Sequence, residues 1–286
     1  MPASTLIGVV AALNLVVLLA DDHPHGSPGP RESVQKTLSF ADPGAAKTVV
    51  IDDVFGSVEV TGGAHPDVRV QAERSVRAES PAAEERARRE VTLDMTESGN
   101  TVDITVNGPF RCRDGSLDWD QEDRKYVVRY DLKVEVPEHA DLRVKTVNEG
   151  DVVVRGVRGR LTIRNVNGRI DMERVAGSVD ARTVNGGIRV SFTESPTEDS
   201  QFKTVNGEVR LAFGRDLAAD FALKTLNGEL RSDFEVTSLP ARPTQGRREG
   251  GRYLYRSDRF QNFRIGRGGP RLSLETLNGD LVVASK

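Results

Sequence analysis

The chain has 286 residues, enough for one large domain or two small ones with a sizeable core. Charged residues make up 29%, yet they nearly cancel to a net charge of −3, which removes any global pull toward nucleic acid. Aromatics are 5% against 27 glycines, valine recurs in alternating runs, and the single Cys112 excludes an internal disulfide, so an all-β protein is expected.

In chain order, the first feature is Leu6 to Ala20, LIGVVAALNLVVLLA, an uncharged apolar run. At roughly 1.5 Å rise per residue it is short for a hydrocarbon core of ~30 Å and suits the apolar region of an export signal. No Lys or Arg precedes it, and Leu18 stands where cleavage after Ala20 favours a small residue. Residues 1–20 are therefore read as a signal peptide or membrane anchor, with a buried strand as the rival, and residues 21–46 as a flexible leader opening DDHPHGSPGP.

Residues 47–137 read as an N-terminal β region with one short helix, continuous with a solenoid formed by the remainder of the chain. KTVVIDDVFGSVEVTGG gives two alternating strands around a glycine turn, and DVRVQAERSV, EVTLDM, NTVDITV and YVVRYDLKVEVP continue at period two. PAAEERARRE, Pro81 to Glu90, breaks that period with a leading proline and helix-favouring Ala, Glu and Arg.

Repeats occupy residues 138–286. Glycines fall at 150, 159, 168, 177 and 186, nine apart, and then at 207 and 228, while Thr-Val-Asn-Gly or a near relative recurs six times: KTVNEGDV, RNVNGRI, RTVNGGI, KTVNGEV, KTLNGEL and ETLNGDL. Each unit is a short strand plus a turn, and two units make a coil of about 18 residues. An antiparallel meander is the first rival, because Asn-Gly is a strong hairpin signal. A parallel solenoid places equivalent residues about 4.8 Å apart on successive coils and so predicts ladders, which Thr146, Thr183, Thr204, Thr225 and Thr276 supply two places before each Asn. The expected fold is an all-β parallel solenoid (β-helix or roll-like) with a small helix-containing N-terminal cap, the Tyr126 strand at that end and RLSLETLNGDLVVASK capping the other. Arg189, Arg210 and Arg231 should then align as like charges, offset by Glu208 and Glu229. Glu149, inserted between Asn148 and Gly150, calls for a bulge or wider turn.

The chain resembles a bacterial adhesin-like family with β-strand repeats, the domain of unknown function 4097. The carriers are FGSVEVTG, the strand ending VEVP, the run from Lys145 to Val190, and the closing GGPRLSLETLNGDLVV. The resemblance implies a β-solenoid-like fold, an extracytoplasmic location (secreted, periplasmic or envelope-anchored), and no established catalytic residues.

No catalytic, cofactor-binding or metal-binding residue is assigned. Asp118, Asp120 and Glu122 around Trp119 lack the central glycine and distal glutamate of a calcium loop, and His23 and His25 offer only two ligands. Cys112 has no flanking nucleophile signature, and Gly266, Gly268 and Gly269 lack a phosphate-loop pattern. An inserted basic loop at about residues 235–265, within an Arg-rich stretch running to Arg271, interleaves arginines with Tyr253, Tyr255, Phe260 and Phe263. It reads first as a solvated loop, then as an anionic glycan or lipid contact, and last as a nucleic-acid contact. The expected function is a non-catalytic exported module that is structural or binds an envelope glycan or protein. The alternative is a polysaccharide-active enzyme, a lyase or hydrolase, on a parallel β-helix, which would need convergent carboxylates, or Lys and Arg, along one groove. The repeated Asn is expected to bond its copies above and below, so Asn185→Ala should cost about 1–2 kcal/mol. An unchanged melting temperature would count against that role.

Overall fold

The computed structural model describes residues 31–112, 125–148, 150–240 and 260–286, together with the backbone of Val16–Val17, Gly246–Glu249 and Arg252–Tyr255. The N-terminal part contains β1 (Val16–Val17), β2 (Glu32–Leu38), β3 (Thr48–Asp52), β4 (Val58–Gly63), β5 (Val68–Ala78), α1 (Pro81–Glu90), β6 (Thr92–Ser98), β7 (Thr101–Asn107) and β8 (Tyr126–Pro137). The repeats comprise β9 (Asp141–Lys145), β10 (Val152–Arg155), β11 (Leu161–Arg164), β12 (Ile170–Val175), β13 (Val179–Arg182), β14 (Ile188–Phe192), β15 (Ser200–Lys203) and β16 (Val209–Phe213). Beyond them lie β17 (Ala219–Lys224), β18 (Leu230–Ser232), β19 (Thr237–Leu239), β20 (Gly246–Glu249), β21 (Arg252–Tyr255), β22 (Gln261–Ile265), β23 (Arg271–Glu275) and β24 (Leu281–Ser285).

Two sheets of eleven strands face each other. Each coil gives one strand to each sheet, and equivalent strands pair in parallel, residue on residue: Val152, Ile170, Ile188, Val209 and Leu281 succeed one another across the first sheet. The second sheet repeats this with Leu142, Leu161 and Val179. Alternate side chains point inward, so these columns are fully buried and form one continuous core. Toward the C-terminal end the core turns aromatic. Phe192 and Phe213 stack with ring centroids 5.0 Å apart, and Phe202 and Phe221 meet them edge-on. The parallel solenoid is thus the fold, and the meander is excluded.

The order of coils in space is not their order in the chain. In the second sheet β23 lies between β15 and β17, and in the first β24 lies between β16 and β18. The C-terminal coil is therefore inserted next to last and does not cap the stack. The N-terminal end repeats the device, since β3 lies between β7 and β9 while β4 lies between β8 and β10. Capping is done by antiparallel strands: β5 and β2 beyond β8, β6 beyond β7, and β22 and β19 beyond β17. The expected like-charge column is broken by the same insertion. Arg189 does face Arg210, but Val282 separates Arg210 from Arg231.

Helix α1 lies against β5 and β8. It begins where the sequence predicts: the Ser80 hydroxyl accepts the Ala83 N–H at 3.2 Å, proline occupies the first turn, and Ala83 and Ala87 are buried. Among the described residues no helix is long and apolar enough to cross a membrane. The backbone of β1 pairs with β2; the rest of the apolar N-terminal run, the leader to residue 30, the acidic loop around Trp119 and Glu149 lie outside the described residues.

At each corner the Asn amides form one ladder. Asn167 donates to Asn148, Asn185 to Asn167, Asn206 to Asn185, Asn278 to Asn206 and Asn227 to Asn278, all through Nδ2 to Oδ1 at 2.7–2.8 Å. The threonines also align, but their hydroxyls do not bond one another. Thr183, Thr204, Thr276 and Thr225 donate to the carbonyls of Gly168, Gly186, Gly207 and Gly279 in the adjoining coil, at 2.8–3.1 Å. The glycines themselves are forced by proximity: at Gly186, φ is +156° and a Cβ would stand 2.2 Å from the Gly168 carbonyl oxygen. Gly186→Ala is expected to lower stability by about 2–5 kcal/mol, read from denaturant midpoints. A midpoint equal to wild type would refute the close corner contact.

One corner carries an acid. Asp53 takes the seat that Asn165 takes two coils on: each accepts the following residue's N–H at 2.7 Å, and each points its second terminal atom at the glycine below the corner. Asn165 Nδ2 donates to the Gly150 carbonyl at 3.0 Å, whereas Asp53 Oδ2 has no donor and is fully buried. Burial pushes the Asp53 carboxyl well above the usual carboxylate range, and the backbone N–H bonds from Val54 and Phe55 only partly offset this. A protonated Asp53 therefore stands in for asparagine. Because the folded state holds this proton more tightly than the unfolded chain, stability declines as pH rises above the ordinary value of ~3.9 toward the raised one. Asp53→Asn is expected to abolish that decline, giving a higher melting temperature than wild type at pH 8 and a similar one at pH 3. Parallel pH profiles for the two proteins would contradict it.

Candidate functional site

The outer face of the second sheet carries a groove of about 520 Å³ that crosses β11, β13, β15 and β23. Strand alternation turns every second side chain outward, and parallel register lines these up into columns. The column at the strand starts reads Arg160, Ser178, Asp199 and Arg271; the next reads Thr162, Asp180, Gln201 and Ser273. Glu198 stands on the rim.

Backbone bonds hold the groove's upper edge. The Arg271 N–H donates to Asp199 Oδ1 at 2.7 Å, the Arg160 N–H to Asp141 Oδ1 at 2.9 Å, and the Val179 N–H to the Ser200 hydroxyl at 3.0 Å. Asp180 is fixed by two guanidiniums: Arg164 reaches it at 2.5 Å and Arg182 at 3.1 Å. Partial burial raises the Asp180 pKa, but the hydrogen bond and charge of Arg164, followed by Arg182, outweigh it and hold the carboxyl below its usual value. Asp180 is therefore an ionised acceptor. The groove as a whole offers hydroxyl, carboxamide, carboxylate and guanidinium groups, able both to donate and to accept hydrogen bonds.

Of the residues weighed from sequence, Arg271 at the end of the Arg-rich stretch lines the groove, and the others described lie elsewhere. Cys112 is exposed and free. His65 bonds through Nδ1 to the Asp67 carbonyl at 2.8 Å and stands 3.9 Å from Glu135. Among the described residues no cluster of three or more His, Cys, Asp or Glu could hold a metal ion. Gly266 and Gly268 adopt positive φ in the turn between β22 and β23, where the Gly268 N–H bonds the Ile265 carbonyl. In the Arg-rich stretch, Gln261–Ile265 is a capping strand whose Phe263 packs on the core, and Arg264 pairs with Asp220 at 2.7 Å. His23, His25, Asp118, Asp120 and Glu122 lie outside the described residues. The groove itself was not foreseen. Its signal is present in the repeat, since the outward positions of the four strands are polar throughout, but only the coil register brings them together.

No curated protein sequence matches the chain. Among solved structures, a candidate cell adhesion protein from Clostridium sporogenes aligns with 8% identity over 91% of this chain and all of that one, with a TM-score of 0.41. A candidate adhesin from Bacteroides fragilis aligns with 10% identity over 88% of this chain and 96% of its own, at a TM-score of 0.33. A candidate lipid binding protein from Parabacteroides distasonis aligns with 11% identity over 87% and 96%, at 0.32. The family model described as Toastrack DUF4097 matches residues 129–253, from within β8 to β21, so the resemblance carried by the repeats is a match to that family.

Proposed function

We propose that the chain is a non-catalytic, exported binding module, and that the groove on the second sheet holds an envelope glycan. The observation that carries this reading is the composition and period of the groove. Four rungs spaced about 4.8 Å apart present polar groups of both hydrogen-bonding senses, which suits an extended, hydroxyl-rich chain. The apolar run before Asp21 supports export.

A polysaccharide hydrolase of the usual kind would need two carboxyls whose environments push their pKa values apart, one of them kept protonated. Asp180 is instead held ionised by Arg164 and Arg182, an arrangement that serves binding. A glycan array probed with the full chain tests the reading, with Thr162→Trp as the variant that fills the groove from an outward strand position. Binding of at least one glycan class, weakened about tenfold or more in the variant at unchanged melting temperature, is expected. Equal binding by both proteins, or release of reducing ends from a bound glycan, would overturn it.

A further inference from the structure

Beside the groove, one strand position further on, runs a column of cations. Its members precede the corner residues: Lys145, Arg164, Arg182 and Lys203 stand on four consecutive rungs, then come Glu275 and Lys224, with Asp52 before Lys145. Like charges on adjoining strands are unfavourable, so their counterions matter. Asp52 is shared between Arg111, at 3.0 Å, and Lys145, at 3.8 Å. Asp180 is shared between Arg164 and Arg182, and Glu275 between Lys203, at 3.1 Å, and Lys224, at 2.7 Å. Each of the three carboxylates thus serves two cations, so the six cations named, Arg111 included, outnumber the carboxylates by three. Lys145, Arg182 and Lys203 keep 43–45% of their side chains exposed, so this charge faces solvent.

The other side of the stripe is the corner. There Val184, Leu277 and Leu226 are exposed, and next to them runs the exposed Asn ladder. Asn167, Asn185, Asn206, Asn278 and Asn227 each spend one amide N–H on a neighbour, and an amide has a second N–H to offer a ligand. A chain lying along the solenoid axis would therefore meet, in parallel rows, groove hydroxyls, cations, small apolar groups and amide donors. This combination fits a polysaccharide with spaced anionic groups better than nucleic acid, because Asp180, Asp199 and Glu198 beside the cations oppose the dense phosphates of a duplex.

We infer that the glycan recognised by this face is acidic, a polyuronate or sulfated polysaccharide whose carboxylates or sulfates lie along Lys145, Arg164, Arg182 and Lys203. The inference rests on the glycan reading of the groove and names its charge class. It is tested with the full chain, using immobilised polygalacturonate and heparin against neutral dextran at increasing salt, with duplex DNA and anionic phosphatidylglycerol vesicles as competitors. The acidic polysaccharides are expected to bind and dextran not to; binding should fall as salt rises. Lys145→Gln with Lys203→Gln should weaken it about tenfold at unchanged melting temperature. Thr162→Trp provides the separate arm for the groove. Binding of dextran equal to that of the acidic chains, binding unaffected by the double substitution, or stronger competition by DNA or vesicles would overturn the charge assignment while leaving a groove-dependent glycan intact. Binding of no polysaccharide at all would remove both.

Discussion

Everything in this fold depends on how closely one corner sits on the next. A glycine in each coil lies under the carbonyl oxygen of its counterpart, near enough that a Cβ at Gly186 would stand 2.2 Å from it. That approach lets the threonine hydroxyls cap the same carbonyls and holds the Asn amides within 2.8 Å of one another. With the corner fixed, strand register is set, and with register come the buried aliphatic columns inside and the polar columns outside. The groove and the cation stripe are consequences of the corner. Neither is built from a dedicated loop.

The local parts of this arrangement were legible in the chain. Period-two strands, the Pro81–Glu90 helix and the nine-residue glycine spacing each have a short-range physical cause, and each stands where the residues place it. What repeats hide is which coil touches which. Every rung is apolar inward and polar outward, so the alternation alone does not order the coils, and chain order is the natural but mistaken assumption. The clue was electrostatic. Five of the six tetrads are preceded by Lys or Arg, and the sixth by Glu275. That acid fits between Lys203 and Lys224, where it lies. The groove was illegible for a related reason: Thr162, Asp180, Gln201 and Ser273 are far apart in sequence and gain meaning only once the rungs are ordered.

The displaced last coil therefore relieves two unfavourable columns at once. On the second sheet it sets Glu275 between two lysines; on the first it sets Val282 between Arg210 and Arg231. Cross-strand charge pairs contribute roughly 0.2–1 kcal/mol each, too little to dictate a fold but in the direction that favours this rung order. The remaining positive charge runs along the second sheet's face, where a ligand can use it.

The interleaved ends have a bearing on biogenesis. A stack built strictly in chain order could zip up behind the ribosome, each new turn settling on the last. Here the slot between β16 and β18 is filled by β24, which is synthesised after both of its neighbours. Closure must wait for β24, and its long-range pairings favour slow folding. Until β24 docks, the strands on either side of that slot keep unpaired backbone edges.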